Sequence, residues 1–210
     1  MAQPAHTVRN NYLIWGTYDW SELGREWVPS QTWKETLFES LVLPYIPNQC
    51  HALEIGAGAG EWSEALLQHV SQLTLVDIVP RCLEICKIRF EAYRNINYLV
   101  NDGQSLQGVA PQSINLVLAM NVFIQNGPDV VHSYLNAIAH VLAPNGTAVI
   151  HHARHGLNKQ GWRSNVTDQL VADYCQQCGL TVLKQVNTWA NGKHKLWDID
   201  TISIIQKQPA

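Results

Sequence analysis

From residue 51 onward the apolar positions of the chain switch between two periods. His51-Ala52-Leu53-Glu54-Ile55 is a short apolar run closed by glycines, and Glu61 to Val70 follows with helical spacing at Trp62, Ala65, Leu66 and His69. Together they predict strand, tight turn, helix. The pattern recurs: Leu73 to Val76 predicts a strand, Pro80 to Tyr93 a helix with Pro near its start, and Ile96 to Val100 another strand. Ile114 to Met120 predicts a buried strand and Val130 to Leu142 a helix, and Pro144-Asn145-Gly146 turns the chain into a strand from Thr147 to His151. Five strands separated by crossovers imply a parallel sheet covered on both faces.

The C-terminal end breaks this alternation. Val166 to Cys178 predicts a helix ended by Gly179, and Leu180 to Val186 a strand. After a loop containing Asn191-Gly192, Ile199 to Ile205 predicts a strand with no room for an intervening helix, so the last two strands must pair antiparallel. Residues 1–50 are rich in aromatics, among them Tyr12, Trp15, Tyr18, Trp20, Trp27, Trp33, Phe38 and Tyr45. Thr32 to Leu43 predicts an amphipathic helix ended near Pro44, whereas Trp15 to Trp27 has no clean period. This stretch is either an aromatic cap over the sheet edge or a lid over a ligand. No repeat or charge block divides the chain, so one domain over 1–210 is expected, with 1–50 as cap or lid and 51–210 as core.

Composition narrows the partners. At 210 residues, 46% hydrophobic and 15% charged, the chain can bury a full core, which excludes disorder and coiled coil. A net charge of −3 leaves no basic excess to neutralise a phosphate backbone, so nucleic acid is not an expected partner. The longest apolar runs fall far short of the roughly 20 residues that cross a bilayer. The start, Met1-Ala2-Gln3-Pro4-Ala5-His6, lacks the regions of a secretory signal, so a cytoplasmic protein without membrane contact, monomeric or homodimeric, is expected. Five cysteines make an odd count and argue for reduced thiols. Cys175-Gln176-Gln177-Cys178 has half the spacing of a zinc or redox site, and Cys82 and Cys86 suit small buried side chains. No His-x-Glu pair or carboxylate cluster supplies an evident set of metal ligands, so no metal is expected.

The most informative segment is Leu53-Glu54-Ile55-Gly56-Ala57-Gly58-Ala59-Gly60. Glycines at the tip of a first strand let the backbone turn sharply and approach a ligand that a Cβ would push away. A dinucleotide fingerprint needs its third glycine three positions after the second. Here Gly60 follows Gly58 by two and Glu61 comes next, which disfavours a pyrophosphate. Asp77 ends the second strand 19 positions past Gly58, where a carboxylate can accept both hydroxyls of a ribose. Asp102 ends the third strand in Asn101-Asp102-Gly103, where it can accept from an exocyclic amine. With Glu54, the set suits a ligand with adenine, ribose and an amino-acid cation but no phosphate.

In these features the chain resembles the class I methyltransferases that use S-adenosyl-L-methionine and release S-adenosyl-L-homocysteine, over about Ala52 to Gln206. The resemblance implies an α/β fold: a doubly wound, Rossmann-like, seven-stranded sheet, mostly parallel with an antiparallel last strand, plus the aromatic-rich N-terminal helical cap. It also implies that Gly56 and Gly58 meet the methionine part of the cofactor, Asp77 the ribose and Asp102 the adenine. Asn121, ending the fourth strand, would lie near the methyl donor. Glu54, Ala57, Ile78, Gly103 and Trp20 complete the expected cofactor contacts.

The ends of the chain also resemble methyltransferases that modify sugars and secondary-metabolite glycans. The pieces are Tyr18-Asp19-Trp20-Ser21 with Glu26-Trp27, Ile150-His151-His152, Trp162-Arg163-Ser164, and Val186-Asn187-Thr188-Trp189 followed by Asp200-Thr201-Ile202-Ser203. A hydroxyl acceptor must lose its proton as it attacks, and histidine is the usual base because its ordinary pKa lies near working pH. His151, His152 and His155 follow the fifth strand, whose C-terminal end faces the crevice in such a sheet. Alternation sends His151 and His152 to opposite faces. His152 is the favoured base, with His155 next; the bland alternative is strand-end polar residues satisfied by the backbone. Where relatives carry a histidine after the fourth strand, this chain has Gln125, which cannot act as a base. Val122 and Phe123 replace the prolines typical of enzymes that methylate base amines. The expected activity is therefore methyl transfer to a small-molecule hydroxyl, on a sugar or secondary metabolite. The alternatives are methylation of an amine or carboxyl, and a cofactor-binding protein without catalysis.

Overall fold

The structure is a computed structural model that describes residues 6–156, 161 and 163–208; Met1 to Ala5 and Trp162 lie outside the described residues. Seven strands form one sheet: β1 (His51–Ile55), β2 (Gln72–Asp77), β3 (Ile96–Val100), β4 (Ile114–Phe123), β5 (Leu142–Ala153), β6 (Leu180–Val186) and β9 (Asp200–Lys207). Their order is β3-β2-β1-β4-β5-β9-β6. β1, β2, β3, β4 and β5 pair in parallel, and β9 runs antiparallel between β5 and β6. This is the expected doubly wound sheet with an antiparallel last strand. A separate hairpin, β7 (Thr188–Trp189) with β8 (His194–Lys195), fills the loop around Asn191-Gly192.

Helices cover both faces. On one side the N-terminal helix α2 (Gln31–Leu37), which continues into a π-helical turn at Phe38–Val42, packs with α3 (Ser63–Leu67) and α4 (Pro80–Arg89). On the other side lie α5 (Pro128–Val141) and α6 (Asp168–Gln177). The strands alternate between the two cores as a pleat requires: Leu116 and Leu118 face the first, and Val117 and Ala119 the second. Helix starts follow local chemistry. Pro80 and Pro128 occupy first positions, where their fixed φ costs nothing, and the hydroxyls of Ser30 and Thr167 accept the amides of Trp33 and Leu170.

The departures from the sequence reading are local. The first helix, α1 (Val8–Gly16), has no apolar stripe to betray it; its buried residue is Asn11. It is held by polar groups as well as by the Trp15 ring on Tyr18 and Trp20: Asn11 Nδ2 donates to Asn126 Oδ1 at 2.6 Å, and His6 Nδ1, just before the helix, lies 3.1 Å from the Gln125 carbonyl. β4 extends past Met120 to Phe123 through Asn121, whose φ of +61° shifts the ladder register with β5. Among the described residues no helix is long and apolar enough to cross a membrane.

Candidate functional site

A cavity of about 280 Å³ opens beyond the C-terminal tips of β1, β2, β4 and β5, the position where open α/β sheets leave room for ligands. Of the residues expected to contact a cofactor, Gly56, Ala57, Gly58, Asp77, Ile78, Gly103, Asn121 and Trp20 line it. The turn after β1 depends on glycine for two reasons. Gly56 and Gly58 adopt φ of +69° and +53°, a region costly for residues with a Cβ. A Cβ on Gly56 would also come within 2.3 Å of the Val122 side chain, and one on Gly58 within 3.0 Å of the Trp20 ring. The backbone therefore lies bare against the cavity, roofed by an indole from the N-terminal segment.

Asp77 anchors that turn. Its Oδ2 accepts the Gly58 amide at 2.9 Å and its Oδ1 the Val79 amide at 2.8 Å. Burial pushes its carboxyl above the ordinary value, against the lowering effect of those two amides. Each carboxylate oxygen can accept a second bond, so capacity for a ribose remains.

Two expected contacts stand elsewhere. Asp102 is exposed and does not line the cavity: it accepts from the Gln104 and Ser105 amides and the Ser105 hydroxyl, an Asx turn that competes with any ligand. Its neighbours Asn101 and Gly103 line the wall instead. Glu54 is buried beneath the glycine turn rather than in the cavity, its Oε2 accepting from the Ser63 hydroxyl at 2.5 Å, and burial pushes its carboxyl up to about 8. The carboxylate that does reach the cavity at that turn is Glu61. It forms a buried pair with Lys34 of α2, Nζ to Oε1 2.6 Å, while its Oε2 is buried without a hydrogen-bond partner. The sequence marked Glu61 only as an obstacle to pyrophosphate.

The histidines divide differently from expectation. His151 and His152 do point to opposite faces, but the phase is reversed. His152 shares its face with Ala148 and Ile150, which pack under α5 and α6. It is fully buried, with Nε2 2.6 Å from the Ser203 hydroxyl, and burial lowers its imidazole to about 4. His155 is exposed, bridging to Thr167, and does not line the cavity. His151 is the one of the three that does.

His151 lies between two fixed groups. The Asn121 amide donates to its Nδ1 at 3.3 Å, and its Nε2 lies 3.5 Å from Asp200 Oδ2. Asp200 is clamped by Arg163, Nε to Oδ1 at 2.6 Å and Nη2 to Oδ2 at 2.7 Å. Burial acts to raise the Asp200 carboxyl, but the neighbouring His151 and the hydrogen bonds and charge of Arg163 hold it below the ordinary carboxylate value. The segments around Trp20, Trp27, His151, Arg163 and Asp200, scattered over the chain, thus meet at one cavity. Their shared presence among those segments was the available signal for Arg163 and Asp200.

The lining is suited to a ligand of a definite kind. The carboxylates of Asp77 and Glu61 beside the glycine turn would repel a phosphate and favour hydroxyls and an ammonium group. Trp27, Trp33 and Trp197 also line the cavity and offer flat apolar faces that can stack on a ring.

Residues 52–146 match a family model described as a methyltransferase domain. The chain is 29% identical over 114 residues to nodulation protein S of Rhizobium tropici, covering 53% of this chain and 46% of that protein. It is 28% identical over 96 residues to the ubiquinone biosynthesis O-methyltransferase of Xanthomonas campestris pv. campestris (strain B100), covering 45% of this chain and 39% of that one. It therefore spans less than half the length of these curated relatives. Among solved structures, an S-adenosylmethionine dependent methyltransferase from Mesorhizobium loti superposes with a TM-score of 0.62 at 12% identity, over 79% of this chain and 95% of that one, a likeness of fold.

Proposed function

We propose, from the match of residues 52–146 to a methyltransferase-domain model and from the lining of the cavity, that this protein uses S-adenosyl-L-methionine to methylate a hydroxyl of a small molecule, a sugar or a secondary metabolite. Gly56, Gly58 and Glu61 would hold the amino-acid part of the donor, Asp77 and Ile78 its ribose, and Asn101 and Gly103 would flank its base. When bound, S-adenosyl-L-methionine supplies an activated methyl carbon whose bond to sulfur breaks as the acceptor oxygen attacks, leaving S-adenosyl-L-homocysteine.

The observation that carries the hydroxyl reading is the placement of His151. Its Nδ1 faces the Asn121 amide at the tip of β4, over a 3.3 Å bond weak enough for an incoming O–H to displace. The ring would take the acceptor's proton at that atom, and Asp200 would stabilise the resulting cation. The indoles lining the cavity would stack on a sugar or phenolic ring and exclude water, so much of the acceleration would come from placement. The relative named as a ubiquinone biosynthesis O-methyltransferase supports oxygen as the acceptor atom.

The test is incubation with labelled donor and a panel of glycosides, phenols and amines. Transfer to a hydroxyl is expected, with His151→Asn slowing it by on the order of 10²-fold or more. Transfer to amines alone, unaffected by His151→Asn, would reject the hydroxyl acceptor.

A further inference from the structure

Asp200 opens β9 and lies on the same face as Ile202, which pairs directly with His151 across the ladder. The carboxylate is therefore a diagonal cross-strand neighbour of the imidazole, within reach on a shared face. It is 2% exposed and held by both arms of Arg163, whose guanidinium lies 5.3 Å from the Trp197 ring. On the opposite side of the imidazole, the backbone amide of Asn121 can only donate, so His151 Nδ1 must carry a lone pair. In the neutral ring the proton then resides on Nε2, the atom facing Asp200.

We propose that Asp200, clamped by Arg163, is a positioning residue that keeps His151 in the tautomer whose lone pair sits on Nδ1, where the Asn121 amide at the tip of β4 meets it. The proposal rests on the reading of His151 as the group that takes the acceptor's proton, and adds what makes the ring fit for that task. An imidazole with its proton on Nδ1 would present a donor to the acceptor and could not serve as base. Arg163 has a second effect. A lone buried carboxylate beside the ring would draw a proton onto it and remove the lone pair before any acceptor arrived. Sharing Asp200 between a permanent cation and the imidazole weakens that pull and still leaves a carboxylate beside the ring when it takes the acceptor's proton. The proton leaving the acceptor hydroxyl ends on Nδ1, and the Nε2 proton stays between His151 and Asp200.

Among the described residues, few groups bear on this ring. Asp200 acts from β9, with Arg163 behind it; from β4 the contact is the uncharged Asn121 amide. His152, next along β5, points to the other face against Ser203 and is held neutral by burial.

The experiment is ¹⁵N-histidine NMR of the free protein titrated with pH, the His151 signal identified by its loss in His151→Asn. An Nε2-protonated neutral ring is expected in the wild type. Asp200→Asn should lower the titration midpoint and mix the tautomers, and Arg163→Gln should raise the midpoint, with Arg163→Lys restoring it in part. Binding of S-adenosyl-L-homocysteine by calorimetry reports that each variant is folded. In turnover, the acid limb of the pH–rate profile should move in the same directions as the midpoints, and kcat for Asp200→Asn should fall tenfold or more. An Nδ1-protonated ring in the wild type, or a midpoint that moves in neither variant, would overturn the positioning role. If the NMR result holds while no hydroxyl is methylated, the positioning role stands and the acceptor assignment fails.

Discussion

The amide of Gly58 donates to Asp77 Oδ2 at 2.9 Å, so the side chain proposed to hold the ribose also pins the turn on which the ligand would lie. Asp77→Ala would strip the partner from two backbone amides, those of Gly58 and Val79. Each unpaired donor costs about 1–3 kcal/mol. Urea unfolding should show a loss of that order, and affinity for S-adenosyl-L-homocysteine by calorimetry should fall at least tenfold. An unchanged affinity would remove Asp77 from the site.

Trp20 meets the same turn from above. Gly58→Ala places a methyl group at φ +53° and within 3.0 Å of the indole. The left-handed backbone costs roughly 1–2 kcal/mol, and the ring must move in addition. Weaker binding of the donor product is expected. Trp20→Phe in the same chain should recover part of the loss, since the smaller ring leaves space; strict additivity in this double-mutant cycle would show that the two residues do not touch.

Lys34 and Glu61 join the N-terminal helix to the glycine turn. Lys34 is 4% exposed and donates to both the carbonyl and the Oε1 of Glu61 at 2.6 Å. Removing one member of a buried pair leaves the other uncompensated, which typically costs about 3–5 kcal/mol. Lys34→Met should destabilise by that order in chemical unfolding, and adding Glu61→Gln should recover some of it. Arg89, 3.8 Å from Glu61 Oε2, limits the loss by sharing the charge.

The pH dependence of stability carries two opposed contributions. Glu54 has its carboxyl raised from 4.5 to about 8 by burial, so the folded state holds its proton more tightly than the unfolded chain. That stabilisation is complete below about 4.5 and is lost as pH rises to about 8. His152 has its imidazole lowered from 6.5 to about 4, so its contribution is complete above 6.5 and is lost as pH falls toward 4. Between 6.5 and 8 the carboxyl acts without the histidine, and unfolding free energy should decline with pH. Asp77, also raised by burial, adds the same sign. Glu54→Gln mimics the protonated acid and still accepts from Ser63, so it should flatten this decline. A slope as steep as wild type in the variant would show that Glu54 is ionised in the folded protein.

The chain itself determined the alternation of strands and helices, the antiparallel end and the site of the glycine turn. Those features are local: a period, a missing helix between Val186 and Asp200, two residues without side chains. Which histidine enters the cavity was decided only in three dimensions. Alternation places His151 and His152 on opposite sides of β5, but Val149 and Ile150 are both fully buried, so the strand has no polar face to mark which side is which. The packing of α5 and α6 chose the phase. The same holds for α1, whose seat depends on Asn126, 115 residues beyond Asn11, and for Asp102, whose carboxylate is captured by its own turn. Periodicity records how a segment is divided between two surroundings; what those surroundings are depends on partners distant in the chain.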